Sequence, residues 1–164
     1  MPGLAPYFSN FLARLGSHDV DYLIVGGYAL VFHGCDRVAP DLDLWIRPTP
    51  EAWARVSACL ETLGYRLAGP IDRFPARPGR GIGFGAPPDR IELLRSIGLD
   101  FATCFARRID WWIGELRAAV LSLDDLRRSK RASGRLQDLE DLADLRRARR
   151  PRHSPDVRLP KPGA

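Results

Sequence analysis

Apolar residues recur along the chain at two spacings, and the spacing changes from segment to segment. In residues 4–16, LAPYFSNFLARLG, Leu4, Phe8, Phe11, Leu12 and Leu15 fall near helical spacing and Gly16 ends the run, which predicts a helix. DYLIVGG, residues 21–27, is a short apolar run that predicts a buried strand, and YALVFHG, residues 28–34, a short helix closed by Gly34. DLDLWIRP, residues 41–48, alternates with period two. It predicts a strand with Leu42, Leu44 and Ile46 on one face and Asp41, Asp43 and Trp45 on the other. Thr49 as N-cap, Pro50 at the first helical position and Glu51 in the first turn open a helix that runs to Gly64.

The second half repeats the alternation of types. Gly81–Gly85 and Arg90–Leu94 read as two strands joined by a turn at APPD, and FATCFARRI as a short helix. DWWIGELRAAVLS predicts a strand, a turn at Gly114-Glu115 and a second strand, with one of Trp111 and Trp112 in the core. Ser122 caps a further helix, Gly134 breaks it, and Leu136, Leu139, Leu142 and Leu145 stripe the next. Strands alternating with helices around one mixed sheet predict a single α/β (α+β) domain with a C-terminal helical segment.

Composition changes this picture little. The 164 residues suit one domain, and 45% hydrophobic with 27% charged residues is a globular balance. No apolar run approaches the roughly 20 residues that span a bilayer, and the N-terminus lacks a basic segment followed by an apolar one. A cytoplasmic protein without a membrane partner is expected. Cys35, Cys59 and Cys104 are widely spaced and read as reduced thiols. Charge is more telling in its placement. Residues 146–164 carry seven Arg or Lys against Asp156, a net of +6, so a total of +5 less +6 leaves the rest at −1. The predicted organisation is a domain over residues 1–148 and a basic, Pro-rich, disordered tail over 149–164, which either touches RNA phosphates or is merely solvated.

The chemistry concentrates around Asp41 and Asp43. On a strand their side chains share a face, with Cα atoms roughly 6.5–7 Å apart. Two unpaired carboxylates so placed repel. Either arginines pair them on a solvated face, or a divalent cation removes the penalty. Gly26 and Gly27, between a strand and a helix, offer free backbone N–H groups that a phosphate can approach. Glu92 is a third carboxylate inside an apolar strand, RIELL, and an acid there needs a reason. Arg37 reads either as a phosphate contact or as an ion-pair partner of Asp41.

VGGYALVFHGCDRVAPDLDLWI, then RIELLRSI, then LSLDDLRRSKRASGRLQDLEDL, resembles the minimal nucleotidyltransferases of the DNA polymerase β-like superfamily over roughly residues 20–145. Within that superfamily the pattern is most similar to the abortive-infection (AbiEii-like) toxin nucleotidyltransferases. The resemblance implies a nucleotidyltransferase-type mixed sheet flanked by helices. It also implies catalytic, Mg²⁺-binding carboxylates at Asp41, Asp43 and Glu92, with Mn²⁺ as a substitute and Glu92 the candidate base. Nucleotide contacts are implied at Gly26, Gly27, Arg37 and Lys130. Lys130 is the only lysine before residue 161 in a chain that otherwise uses Arg, which suits a compact charge on a triphosphate; its bland alternative is a surface lysine. Asp138 is expected to orient Lys130 or Arg135. His33 is expected to cap or pack.

Three positions depart from the family pattern. Tyr28 follows Gly27 where relatives often place Ser, Ala39 stands where they carry Thr, and Glu92 replaces the commoner Asp. The implied activity is transfer of a nucleoside monophosphate from an NTP to a hydroxyl. Three acceptors are implied: an RNA or tRNA 3′ end, a protein side chain, or a small molecule such as an aminoglycoside. A cognate antitoxin or toxin protein is an implied partner. The alternative is a non-catalytic nucleotide- or partner-binding regulatory protein on the same fold.

Overall fold

The computed structural model describes residues 4–148. Six strands form one sheet, and the sequence-predicted elements are found in order. They are α1 (Pro6–Ser17), β1 (Tyr22–Val25), α2 (Gly26–Phe32), β2 (Leu42–Ile46), α3 (Pro50–Glu61), β3 (Gly81–Phe84), β4 (Ile91–Leu94), α4 (Phe101–Ala106), β5 (Ile109–Ile113), β6 (Leu116–Val120), α5 (Leu123–Ser133) and α6 (Leu136–Arg147). The strand order is β3-β4-β2-β1-β6-β5. The sheet is mixed: β2–β4 and β1–β6 are parallel, while β1–β2, β3–β4 and β5–β6 are antiparallel.

Both faces of the central strands are covered. Leu42, Leu44 and Ile46 are buried as the alternation predicts, but Trp45, expected on the carboxylate face, is buried too. Its indole donates to the Arg95 carbonyl at 3.2 Å and its ring meets Phe101 of α4 edge-on. The carboxylates are therefore set into the rim of a covered face. One tryptophan of the β5 pair, Trp111, is in the core as expected.

The helix ends follow their signals. Thr49 accepts from the Ala52 N–H, Ser122 from the Asp125 N–H, and Gly134 closes α5 with φ of 63°. Helix α6 departs from its expected face. Leu142 and Leu145 are buried, but Leu136 is 82% and Leu139 53% exposed. The first turns of α6 bury Asp138 and Asp141 instead, at 1% and 2% exposure. Those carboxylates have ionic partners, described below, and their pairing sets the rotation of the helix. No helix among the described residues is long and apolar enough to cross a membrane. The expected basic tail, residues 149–164, lies outside the described residues.

Candidate active site

The parallel register of β2 and β4 sets Asp43 beside Glu92, and the antiparallel register of β1 and β2 sets Asp43 beside Val25. Neighbouring strands lie about 4.8 Å apart, so the two carboxylates are nearest neighbours on one face. Chain reversal at the end of β1 brings α2 directly over them. Gly26 starts that helix with φ of +64°, and a Cβ there would overlap the Asp43 carboxylate. Only glycine serves here, for both the left-handed backbone and the close approach. At Gly27 an added Cβ would stand 3.1 Å from that of Ala39, so the segment after Arg37 packs against the helix start.

A pocket of about 160 Å³ opens at this point, with Gly26, Asp43, Glu92 and Lys130 in its wall. Four residues expected to share a site thus line one cavity. Asp41, Gly27 and Arg37 are not in that wall. Asp41 lies just before β2, 3.9 Å from the Arg90 Nε, a loose contact. Its charge nonetheless reaches Asp43. Burial, then Glu92, then Asp41 push the Asp43 carboxyl up from 3.8 to about 7, while Lys130 and Arg90 pull the other way. The shift at Asp43 thus combines burial with two acidic neighbours and is only partly offset by the two cations.

Lys130 is held from behind. Its ammonium lies 2.8 Å from Asp141 and 3.3 Å from Asp138. Asp138 also accepts from the Arg135 Nε at 2.9 Å, so it orients both basic groups rather than one. Asp141 is bridged further: Arg37 reaches it at 2.8 Å and Asp144 at 3.1 Å. Arg37 therefore pairs with α6, neither with Asp41 nor with an open phosphate site, and reaches the pocket only through the chain Arg37–Asp141–Lys130. Asp141 and Asp144 were not singled out in the sequence. Their signal was the i, i+3 spacing of Asp138, Asp141 and Asp144, which competes with the leucine stripe on the same helix. His33 packs as expected, its Nε2 2.7 Å from the buried Leu121 carbonyl.

Among the described residues no three His, Cys, Asp or Glu side chains converge at metal-binding spacing. The donor set still fits a hard divalent cation: oxygen ligands only, adjacent on one face, with Asp43 destabilised as an anion by burial and by its two acidic neighbours.

The six-stranded mixed sheet flanked by helices is similar to a nucleotidyltransferase fold. Among solved structures, the chain is similar to the solution structure of the antibiotic-resistance factor ANT(2'')-Ia, with a TM-score of 0.55 over 85% of this chain and 80% of that one. Sequence identity is 13%, so the likeness is one of fold. No family model matches the sequence, and no curated protein matches it.

Proposed function

We propose that the protein is a Mg²⁺-dependent nucleotidyltransferase that moves a nucleoside monophosphate from an NTP to an acceptor hydroxyl. The observation that carries the reading is the adjacency of Asp43 and Glu92 beneath the glycine-started helix, with the Asp43 carboxyl raised to about 7 by burial and its acidic neighbours. A pair of half-buried like charges is costly unless something positive completes it.

In this reading Asp43 and Glu92 would hold the cation, with Asp41, whose contact with Arg90 is loose at 3.9 Å, as the further ligand. Bound there, Mg²⁺ neutralises charge on the transferring phosphate. Backbone N–H groups at Gly26 and Gly27 face the triphosphate, and Lys130, oriented by Asp138 and Asp141, sets a positive charge beside it. Glu92 accepts the proton of the acceptor hydroxyl. The acceptor oxygen forms a bond to the α-phosphorus as the bond from that phosphorus to the α–β bridging oxygen breaks, and pyrophosphate leaves. Ala39 beside Gly27 offers no hydroxyl to the phosphates, so more of their binding falls to Lys130 and the backbone.

A role as a toxin component with a protein partner, near the AbiEii-like enzymes, belongs to this same proposal and rests on the sequence resemblance. The test is incorporation of α-labelled ATP, CTP, GTP or UTP, with Mg²⁺ or Mn²⁺, into RNA, protein and an aminoglycoside in parallel. Asp41→Asn/Asp43→Asn serves as the control. Label that falls by about 10²-fold or more in the double variant supports the reading, since lost metal ligation costs several kcal/mol of barrier. Label unchanged in the variant, or wild-type protein that binds NTP without turnover, overturns it in favour of a binding protein.

A further inference from the structure

A second cavity, of about 460 Å³, adjoins the candidate active site and shares Pro78, Ile97, Ser133 and Arg135 with its wall. Three arginines line it, Arg77, Arg80 and Arg135, and no acidic residue does. The loop that carries the first two is anchored rather than loose. Gly79 donates its N–H to the Ser96 carbonyl at 3.2 Å, and the Arg135 guanidinium lies against it, 3.5 Å from where a Cβ would stand. Arg135 has Asp138 as a partner. The guanidinium groups of Arg77 and Arg80 have no hydrogen-bond or ion-pair partner among the described residues, and both residues are exposed.

Many arginines are ion-paired, among them Arg37 with Asp141, Arg47 with Asp21, Arg107 with Asp125 and Arg117 with Asp110, whereas Arg66, Arg73, Arg131 and Arg146, like Arg77 and Arg80, have no such partner among the described residues. What sets this groove apart is position: it collects three guanidinium groups, two of them unpaired, beside a pocket walled by Asp43, Glu92 and Asp138. It repels a polycationic acceptor such as an aminoglycoside. It attracts a phosphate-bearing one, because planar guanidinium forks match phosphate oxygens.

We propose that this groove is the acceptor subsite, and that it binds the phosphodiester backbone of single-stranded RNA so that the terminal ribose hydroxyl points into the adjoining pocket. This rests on the nucleotidyltransferase reading above for what happens to that hydroxyl; the binding itself does not. Arginine contacts to phosphate release counterions, so affinity should fall with salt in proportion to the number of contacts.

The experiment compares the full-length wild-type chain with Arg77→Ala/Arg80→Ala and with Arg77→Lys/Arg80→Lys. A fluorescein-labelled single-stranded RNA oligonucleotide is titrated at 50–200 mM salt, and a non-hydrolysable NTP analogue is titrated separately. Both sites are exposed, so thermal unfolding is expected to be unchanged and serves as the folding check. RNA affinity is expected to fall about tenfold in the alanine variant. Losing two contacts, the slope of log affinity against log salt shallows by about 1.4. The lysine variant keeps most of the affinity, and NTP affinity does not move.

Unchanged RNA affinity and slope overturn the proposal. Equal losses of RNA and NTP affinity also overturn it, since the arginines would then serve the triphosphate. Transfer of label to an aminoglycoside in preference to RNA overturns it from the other side. If RNA binding behaves as expected while the wild-type protein transfers no label to anything, the groove stands and the nucleotidyltransferase reading falls.

Discussion

Two acidic clusters face each other across Lys130, and they are opposites. On the sheet, Asp43 lies beside Glu92 with Asp41 just before the same strand, and burial with these acidic neighbours outweighs Lys130 and Arg90, so the Asp43 carboxyl is pushed up to about 7. On α6, Asp138, Asp141 and Asp144 recur every three residues, yet each has basic partners in Lys130, Arg135, Arg37 or Arg147. Burial works against the Asp138 anion too, but hydrogen bonds from Arg135 and Ser133 and the Lys130 charge outweigh it and bring its carboxyl down to about 2. The same residue type thus acquires opposite character from its surroundings, although the Asp138 side chain is the less exposed of the two. The α6 cluster is completed within the chain and builds structure. The sheet cluster has no such set of partners, and in the proposed function a cation supplies the missing charge.

The sharpest way to break this contrast is the same substitution in each cluster. Asp141→Asn should unbalance Lys130 and Arg37, whose 2.8 Å contacts both end on that carboxylate. Breaking a buried pair costs several kcal/mol, and partial exposure of the two cations moderates this to about 2–3 kcal/mol. The melting temperature should fall by roughly 5–10 °C in thermal unfolding. Asp43→Asn removes a repelling charge and no packing, so in metal-free buffer at pH 8 it should melt at or above the wild-type temperature. Equal destabilisation by both substitutions would erase the distinction between the clusters.

The distinction was only partly legible in the sequence. The sheet cluster could be read because strand period two places Asp43 on a definite face, and because Gly26 and Glu92 stand out against apolar surroundings. The α6 cluster was half read: Asp138 was assigned to Lys130 or Arg135 and in fact serves both. Asp141 and Asp144 were hidden by the leucines between them. Helical periodicity alone favoured Leu136 and Leu139 for burial, and ion pairing turned the helix the other way. For Arg37 the family pattern implies a phosphate contact, and closeness in sequence suggests Asp41 as the alternative. The arginine's partner Asp144 is 107 residues away, a pairing that no local pattern announces. Alternation gives the face of Trp45 but not its burial, because it cannot tell a solvated face from one covered by α4.

A smaller effect should appear as a pH dependence with opposite sign in the two clusters. Between pH 3.8 and about 7 the folded protein holds the Asp43 proton that the unfolded chain has lost, so stability falls as pH rises through that window. Asp138 acts the other way: its contribution is complete above pH 3.8 and is lost as pH falls through about 2. With a chelator present, the melting temperature of wild-type protein should therefore be lower at pH 8 than at pH 5. Asp43→Asn should abolish that part of the difference. Added Mg²⁺ should raise the pH 8 value in wild-type protein and leave the variant nearly unmoved. A pH 5 to 8 difference that survives in Asp43→Asn at full size would assign it to other groups and take away the electrostatic argument for a cation.

The smallest effect belongs to Asp144, and it tests where the α6 cluster ends. Asp144 meets Arg37 at 3.1 Å and Arg147 at 2.7 Å, but its side chain is more than a third exposed. Solvent screens such pairs, and holding two long side chains in one geometry costs entropy that offsets much of the attraction. Arg37 also keeps the better buried Asp141 at 2.8 Å when Asp144 is neutralised. Asp144→Asn should accordingly leave the melting temperature and NTP affinity within error of wild type, measured by thermal unfolding and analogue titration. A clear loss of NTP affinity without loss of stability would mean that Arg37 is steered by both carboxylates. The arginine would then be part of the nucleotide site, as its place in the family pattern implies, and the line between a structural and a reactive cluster would have to be drawn through Asp141 rather than around it.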